Sequence, residues 1–137
     1  MITYAVRNGI INHLLRSSSF GKPNPFALAL FTTTPGADGT GGVEVVGPTP
    51  SNYSRRTYGA NDSNWSDPTG YGYTANTTQI AYGAPQDDWG TITAVALMDA
   101  SSGGNVIAVY ELPNAKTISN GDDPIVFEPG EIRFTVS

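Results

Sequence analysis

Residues 89–112 read WGTITAVALMDASSGGNVIAVYEL, two runs of strand-forming residues joined by a turn-rich link. Successive strand side chains point to opposite faces of a sheet. The apolar residues of the first run divide between the two faces, with Ile92, Ala94, Ala96 and Met98 on one and Val95 and Leu97 on the other. Apolar residues on both faces are typical of a strand enclosed within a fold. Because residues 99–105 supply Gly, Ser and Asn for turn geometry, the stretch predicts a scaffold β-hairpin.

Other short strand-like runs lie on both sides of this hairpin. They are residues 26–33, 43–46, 53–58, 77–82, 116–118, 124–127 and 132–136. Turn-forming residues separate the runs, and no helix alternates with them. This order is typical of an all-β protein. We expect a single domain over residues 1–137, in which residues 26–137 form an antiparallel β-sandwich, either jelly-roll-like or a partly open barrel.

One amphipathic α-helix is predicted within residues 1–19, with Thr3 as its N-cap. The residues expected on its apolar half are Tyr4, Val6, Ile10, Ile11, Leu14 and Leu15. Arg7 falls inside this apolar sector, where an arginine must snorkel, pair internally or face a partner chain. Snorkelling or internal pairing is the commoner outcome for one arginine. The alternative is an interface formed by Arg7, Ile10 and Leu14.

Composition and charge exclude several function classes. The chain has 137 residues, a formal net charge of -5, seven Lys or Arg residues and no cysteine. Nucleic-acid binding needs clustered cations, and the only adjacent pair is Arg55-Arg56, whose side chains would face opposite ways in a strand. No apolar run predicts a membrane span or a secretory signal. We therefore expect neither a nucleic-acid nor a membrane partner, and synthesis in the cytoplasm of the producing cell.

The sequence offers little for catalysis. Its one histidine, His13, is expected to be exposed on the polar side of the helix, and acyl transfer needs a nucleophile beside a base. The glutamates and the paired aspartates fall in strands or turns, where solvated charge is the ordinary explanation. The glycine-rich stretch at 35–42 lacks the lysine and helix of a phosphate loop. We expect no enzyme activity, no catalytic residue, no cofactor and no metal site.

Binding is more easily placed in the glycine-rich and aromatic loop at 59–76. Trp65, Tyr71 and Tyr73 occur there within NWSDPTGYGYT. Rigid aromatic side chains of this kind stack on sugars or anchor protein interfaces. The commoner outcome for such residues is that they cover one end of the sandwich. The candidate binding residues are therefore Trp65, Tyr71 and Tyr73, for a protein partner or a glycan.

Over nearly its whole length the chain resembles the small virion proteins of tailed phages that are called tail fibre proteins. The motifs that carry the resemblance are ALALFTTTPG followed by Glu44, WGTIT with the MDASSGGN turn, and the late SNGDD and EPGE turns. Some relatives or look-alikes are capsid cement or decoration proteins. The resemblance implies a non-enzymatic structural subunit on the outer surface of a phage virion, made in the host cytoplasm.

Size favours the cement type within this class. A compact domain of this length has a radius of gyration of about 14 Å, and no shaft repeat or long heptad pattern is present. A tail fibre or receptor-binding tail subunit is the alternative, and a carbohydrate-binding module is the second alternative. The expected partners are further copies of the chain, with a trimer favoured, and the major capsid protein or tail proteins. A host surface glycan is a further candidate.

Overall fold

The computed structural model describes residues 1–68 and 72–136. Within this part of the chain, one helix, α1 (Tyr4–Leu15), precedes nine strands. The strands are β1 (Ala27–Thr33), β2 (Val43–Glu44), β3 (Arg56–Thr57), β4 (Tyr73–Ala75), β5 (Ile80–Ala81), β6 (Gly90–Met98), β7 (Val106–Ile118), β8 (Val126–Phe127) and β9 (Arg133–Thr135). This confirms an all-β fold with one N-terminal helix. The described strands form antiparallel sheets and close no barrel.

The largest sheet is built around β1, β6 and β7. Strand β1 pairs with β6 on one side and with β2 and β3 on the other, and β6 pairs with β7 across the predicted turn. Leu28, Leu30 and Val95 are fully buried in this sheet. The alanines Ala29, Ala94 and Ala96 on its other face are also fully buried. The enclosed hairpin predicted from residues 89–112 is therefore confirmed.

Ile92 lies on the opposite face from the one predicted. It pairs with Lys116, whereas Ala94 pairs with Glu111, so four residues of β7 lie opposite Thr93 alone. Such an irregularity interrupts the alternation of side chains along a strand. Ile92 consequently packs in the main core with Val95, while Ala94 belongs to a smaller cluster on the other face. The same irregularity joins the two runs predicted at 106–112 and 116–118 into one strand, β7.

Two short ribbons complete the fold, one formed by β4 and β9 and the other by β5 and β8. Their apolar side chains share one core with Leu28 and Leu30. Phe127 and Ile132 are almost fully buried in that core. Strand β4 falls inside the stretch predicted as a loop at 59–76. The two layers thus form a sandwich whose second layer is made of very short strands.

The N-terminal residues extend the sheet at the outer edge of β7. The Thr3 amide donates to the Ile107 carbonyl at 3.1 Å, and the Val109 amide donates to the Met1 carbonyl at 2.7 Å. Thr3 is the N-cap of α1, as predicted, but its hydroxyl donates to the Val106 carbonyl and makes no cap hydrogen bond. Residues 1–3 therefore attach the start of the helix to the sheet.

Helix α1 is less buried than its sequence predicts. It spans Tyr4–Leu15, within the predicted range of residues 1–19, and Val6 is its only buried residue. Ile10 packs against the core while partly buried. Leu14 and Leu15 are 71% and 81% exposed. Only the first turns lie against the sheet, so most of the predicted apolar half faces outward. No helix in the described ranges is long and apolar enough to cross a membrane.

Candidate functional site

An open groove of about 930 Å³ lies on one side of the molecule. Its apolar lining comes mainly from the outer part of the sheet and from β4 and β9: Ile2, Trp65, Tyr73, Leu97, Ile107, Phe134 and Val136. Its polar and charged lining includes Lys22, Asn61, Asp62, Ser66 and Asp67. We call this cavity the groove. An apolar cavity with a few polar groups at its border is the usual form of a binding site.

Trp65 both supports the fold and lines the groove. Its ring meets Tyr58 edge to face with centroids 5.1 Å apart, and it lies 5.7 Å from the Phe134 ring. Its indole N–H donates to the Gly59 carbonyl at 3.2 Å. These contacts fix the side chain in one position, half-buried. Covering the core and contributing to a binding surface are therefore compatible for this residue.

Tyr73 lies in β4 and lines the same groove. The Arg133 guanidinium is 5.5 Å from the centroid of its ring, so part of the ring is already engaged by a cation. Tyr71 was predicted as the third member of this set and lies outside the described residues. The structure thus brings together Trp65 and Tyr73 of the three candidates.

Asn76 is the residue that holds this region and that the sequence did not single out. It is 2% exposed. Its Oδ1 accepts from the Ile132 amide at 2.9 Å, and its Nδ2 donates to the carbonyls of Thr78 and Glu128. An asparagine satisfied on both sides of its amide fixes two segments at once. In the sequence it is visible only as the start of one of several Asn-x-Ser/Thr triplets.

The three predicted interface residues of α1 do not form one free face. Arg7 is half-buried, and its Nε donates to the backbone carbonyl of Ile2 at 3.1 Å. Ile10 packs against the core. Leu14 alone of the three is largely exposed. The free apolar surface of the helix is instead formed by Ile11, Leu14 and Leu15.

The chain after α1 folds back onto the helix at Gly9. A Cβ atom added to Gly9 would clash with the ring of Phe20, so the close approach of that ring requires glycine. The Phe20 amide also donates to Nδ1 of His13 at 3.1 Å. His13 is exposed, as expected. These contacts explain how a helix tolerates glycine at its centre.

A polar cluster joins the hairpin turn to the opposite edge of the sheet. Arg55 binds the Glu44 carboxylate through Nε and Nη2, each at 2.8 Å. Its Nη1 donates to the carbonyls of Ala100 and Gly103 in the turn. Tyr53 donates to Glu44 at 2.7 Å. The charges of Arg55 and Glu44 are paired with each other, and a bidentate arginine–carboxylate pair fixes geometry strongly. We therefore assign this cluster a structural role.

Burial affects the ionisation of two tyrosines beside this cluster. Desolvation raises the pKa of Tyr53 and of Tyr82 well above the ordinary value. The hydroxyl of Tyr82 donates to the Leu28 carbonyl at 2.7 Å. The hydrogen bond to Glu44 raises the pKa of Arg55. Both tyrosines are thus neutral donors within the core at neutral pH.

Metal-ligating residues are dispersed in the described ranges. No three His, Asp or Glu side chains there are placed so that they could hold one ion. The described cavities are lined instead by aliphatic, aromatic and small polar residues, with scattered single charges.

Fold and surface together describe a small all-β protein with an open groove on one side. The chain belongs to the family described as podophage GP4 fiber I protein gp80, whose family model matches residues 1–135. No curated protein matches it. The match supports the resemblance to phage tail fibre proteins that the sequence motifs carry. It gives no support to the cement or decoration type.

Proposed function

We propose that the chain is a structural subunit of a tail-associated fibre on the outer surface of a podophage particle. The observation that carries the proposal is the match of residues 1–135 to a phage fibre family. The sequence alone favoured capsid cement on grounds of size. Small size applies equally to a tip or collar-like tail subunit, and the family match supports the tail subunit.

The structure is suited to a mechanical role. Leu28, Leu30 and Val95 are fully buried in a sheet that carries a second cluster on its other face. Arg55 binds Glu44 through two hydrogen bonds and also donates to the turn carbonyls of Ala100 and Gly103, so it connects the hairpin turn to this sheet. A scaffold of this kind holds its loops in fixed positions. The helix and the groove are then the surfaces available to partners, which we propose to be tail proteins and further copies of the chain.

A host glycan is a second candidate partner. The observation in its favour is that Trp65 and Tyr73 line one open groove. Aromatic side chains in such a groove offer rigid, amphipathic contact area. In that case the chain would act as a receptor-binding tail subunit, and the groove would face the host cell.

Particles made without the chain test the fibre proposal against the cement alternative. A tail fibre subunit predicts particles that lose adsorption to host cells and keep wild-type heat resistance. A cement protein predicts the reverse, because a bound subunit stabilises the assembled capsid by mass action. Normal adsorption together with early DNA leakage on heating would overturn the proposal.

The receptor-binding form of the proposal has its own test. Particles that carry Trp65→Ala, Tyr71→Ala and Tyr73→Ala together should lose adsorption if these aromatics contact a glycan. Because Trp65 also packs against Tyr58 and Phe134, the circular dichroism of the isolated variant must match that of the wild type before the loss is assigned to a glycan contact. A matched control replaces the exposed Tyr4 with Ala. Adsorption that survives the triple change would exclude the glycan contact while leaving the fibre subunit role intact.

A further inference from the structure

We propose that the exposed end of α1 docks in the groove of a neighbouring copy, so that copies join head to tail in a closed ring. The inference rests on the proposed function, since a fibre subunit needs a way to assemble. It commits to a second copy of this chain as the occupant of the groove.

The donor surface is the helix stripe, formed by Ile11, Leu14 and Leu15. These side chains are 52%, 71% and 81% exposed. Their spacing of three and four residues places them on one side of the helix. Adjoining aliphatic side chains exposed to this degree mark an interaction surface rather than ordinary scattered exposure.

The acceptor surface is the groove, whose lining matches aliphatic side chains better than sugars. Leu97 and Ile107 line it while half-buried, and Val136 lines it while 58% exposed. The rings of Trp65 and Tyr73 are partly engaged already by Phe134 and Arg133. An apolar helix face placed in an apolar groove is a recurring mode of protein recognition.

Charge complementarity favours this pairing. Arg16 directly follows the helix stripe and is exposed. The border of the groove carries two exposed carboxylates, Asp62 and Asp67, against one ammonium, Lys22. The chain has only seven Lys or Arg residues, and one of them, Arg16, lies beside the exposed aliphatic residues of α1. In the proposed contact, Arg16 faces the border of the groove, which carries a net negative charge. Such complementarity fixes register and orientation between partners.

Helix-to-helix pairing between copies fits the structure less well. A heptad seam would run through Tyr4, Arg7, Ile11 and Leu14, but α1 has only 12 residues, and coiled coils need several heptads. Arg7 is also held by the Ile2 carbonyl and lies 5.8 Å from the Tyr4 ring centroid. Two different complementary patches on one chain generate a ring, such as a trimer, when the rotation between neighbouring copies closes.

Cysteine cross-linking tests the contact directly, because the chain has no cysteine of its own. One variant carries Leu15→Cys in the helix stripe, and a second carries Val136→Cys in the groove. Mixed under mild oxidation, they should form a disulfide-linked heterodimer, while each variant alone should remain unlinked. As a matched control, Val46→Cys replaces another exposed valine, 77% exposed, and should not link to Leu15→Cys.

Three results would overturn the inference. Self-linking of Leu15→Cys would show helix-to-helix contact, and equal linking to Val46→Cys would show random collision. Absence of the mixed dimer, both in solution and in assembled particles, would show that the groove receives no neighbouring helix. These outcomes are independent of adsorption and heat resistance, so the inference and the fibre proposal can fail separately.

A charge exchange provides a second measurement that leaves the core untouched. Arg16→Glu should lower the yield of mixed disulfide severalfold, and adding Asp62→Lys and Asp67→Lys to the Val136→Cys partner should restore it. A yield unaffected by Arg16→Glu would contradict the proposed orientation. Binding of a soluble host saccharide to the groove, unchanged by Leu14→Asp, would assign the groove to a glycan instead.

Discussion

Strand β1 and helix α1 both contain leucines, but the leucines of the strand are buried and those at the end of the helix are exposed. Leu28 and Leu30 in β1 are fully buried, whereas Leu14 and Leu15 in α1 are 71% and 81% exposed. The strand has partners on both sides and cores on both faces, while only the first turns of the helix contact the sheet. The comparison shows that a sequence pattern identifies an apolar face without showing what covers it.

Replacing one leucine in each region with alanine should give the largest difference in the free energy of unfolding. Leu30→Ala removes a fully buried side chain and should lower the free energy of unfolding by about 3 kcal/mol. Leu14→Ala, at a largely exposed position of an isolated subunit, should change it by less than about 0.5 kcal/mol. Urea unfolding of both variants measures the difference. Equal losses would show that the helix end is part of the core of the single chain.

The second contrast concerns arginines. Arg55→Met leaves the Glu44 carboxylate without its cation and should lower the free energy of unfolding by about 2 kcal/mol, because Glu44 retains some contact with solvent. Arg16→Met, on the exposed helix end, is the matched control and should be close to neutral. Thermal unfolding of the two variants compares them. If Arg55→Met left the free energy of unfolding unchanged, the contacts of Arg55 with Glu44 and the hairpin turn would not contribute to stability.

Alkaline pH should destabilise the core through two buried tyrosines. The pKa of Tyr53 and of Tyr82 is raised in the folded chain, so the folded state holds their protons after the unfolded chain has lost them. The stabilisation is present below about pH 10 and then falls by about 1.4 kcal/mol per pH unit for each tyrosine. Urea midpoints across this range measure the fall. Replacing Tyr82 with Phe should make it shallower, and an unchanged slope would contradict the assignment.

The smallest effect is expected at His13. Its ring is exposed and accepts one hydrogen bond from the Phe20 amide. His13→Ala should therefore change the free energy of unfolding by less than about 0.5 kcal/mol and leave particle assembly unchanged. A large loss in either measurement would reveal a role for the segment that folds back over Gly9.

The strands of the hairpin could be predicted because alternation and turn residues act locally. The irregularity at Thr93 could not, since it depends on how many residues of β7 lie opposite β6. That is why Ile92 was placed on the wrong face. Strand β4 was missed for a similar reason, because its pairing partner is β9, far along the chain.

The candidate site was only partly predictable. Trp65 and Tyr73 stood out as aromatic residues in a polar loop, and the structure places both at the groove. Leu97 and Ile107 were predicted only as residues of the hairpin, because the sequence does not show that a cavity lies beside these strands. Asn76 was hidden among similar triplets, since its role comes from contacts with Ile132 and Glu128 more than 50 residues away.

The position and copy number of the chain in the particle test the central claim most directly. Labelling the chain in intact virions and imaging them by electron microscopy gives both quantities. A tail-associated fibre subunit predicts label at the tail, with copies numbering in the tens per particle. Label spread over the capsid, with copies in the hundreds, would contradict the account.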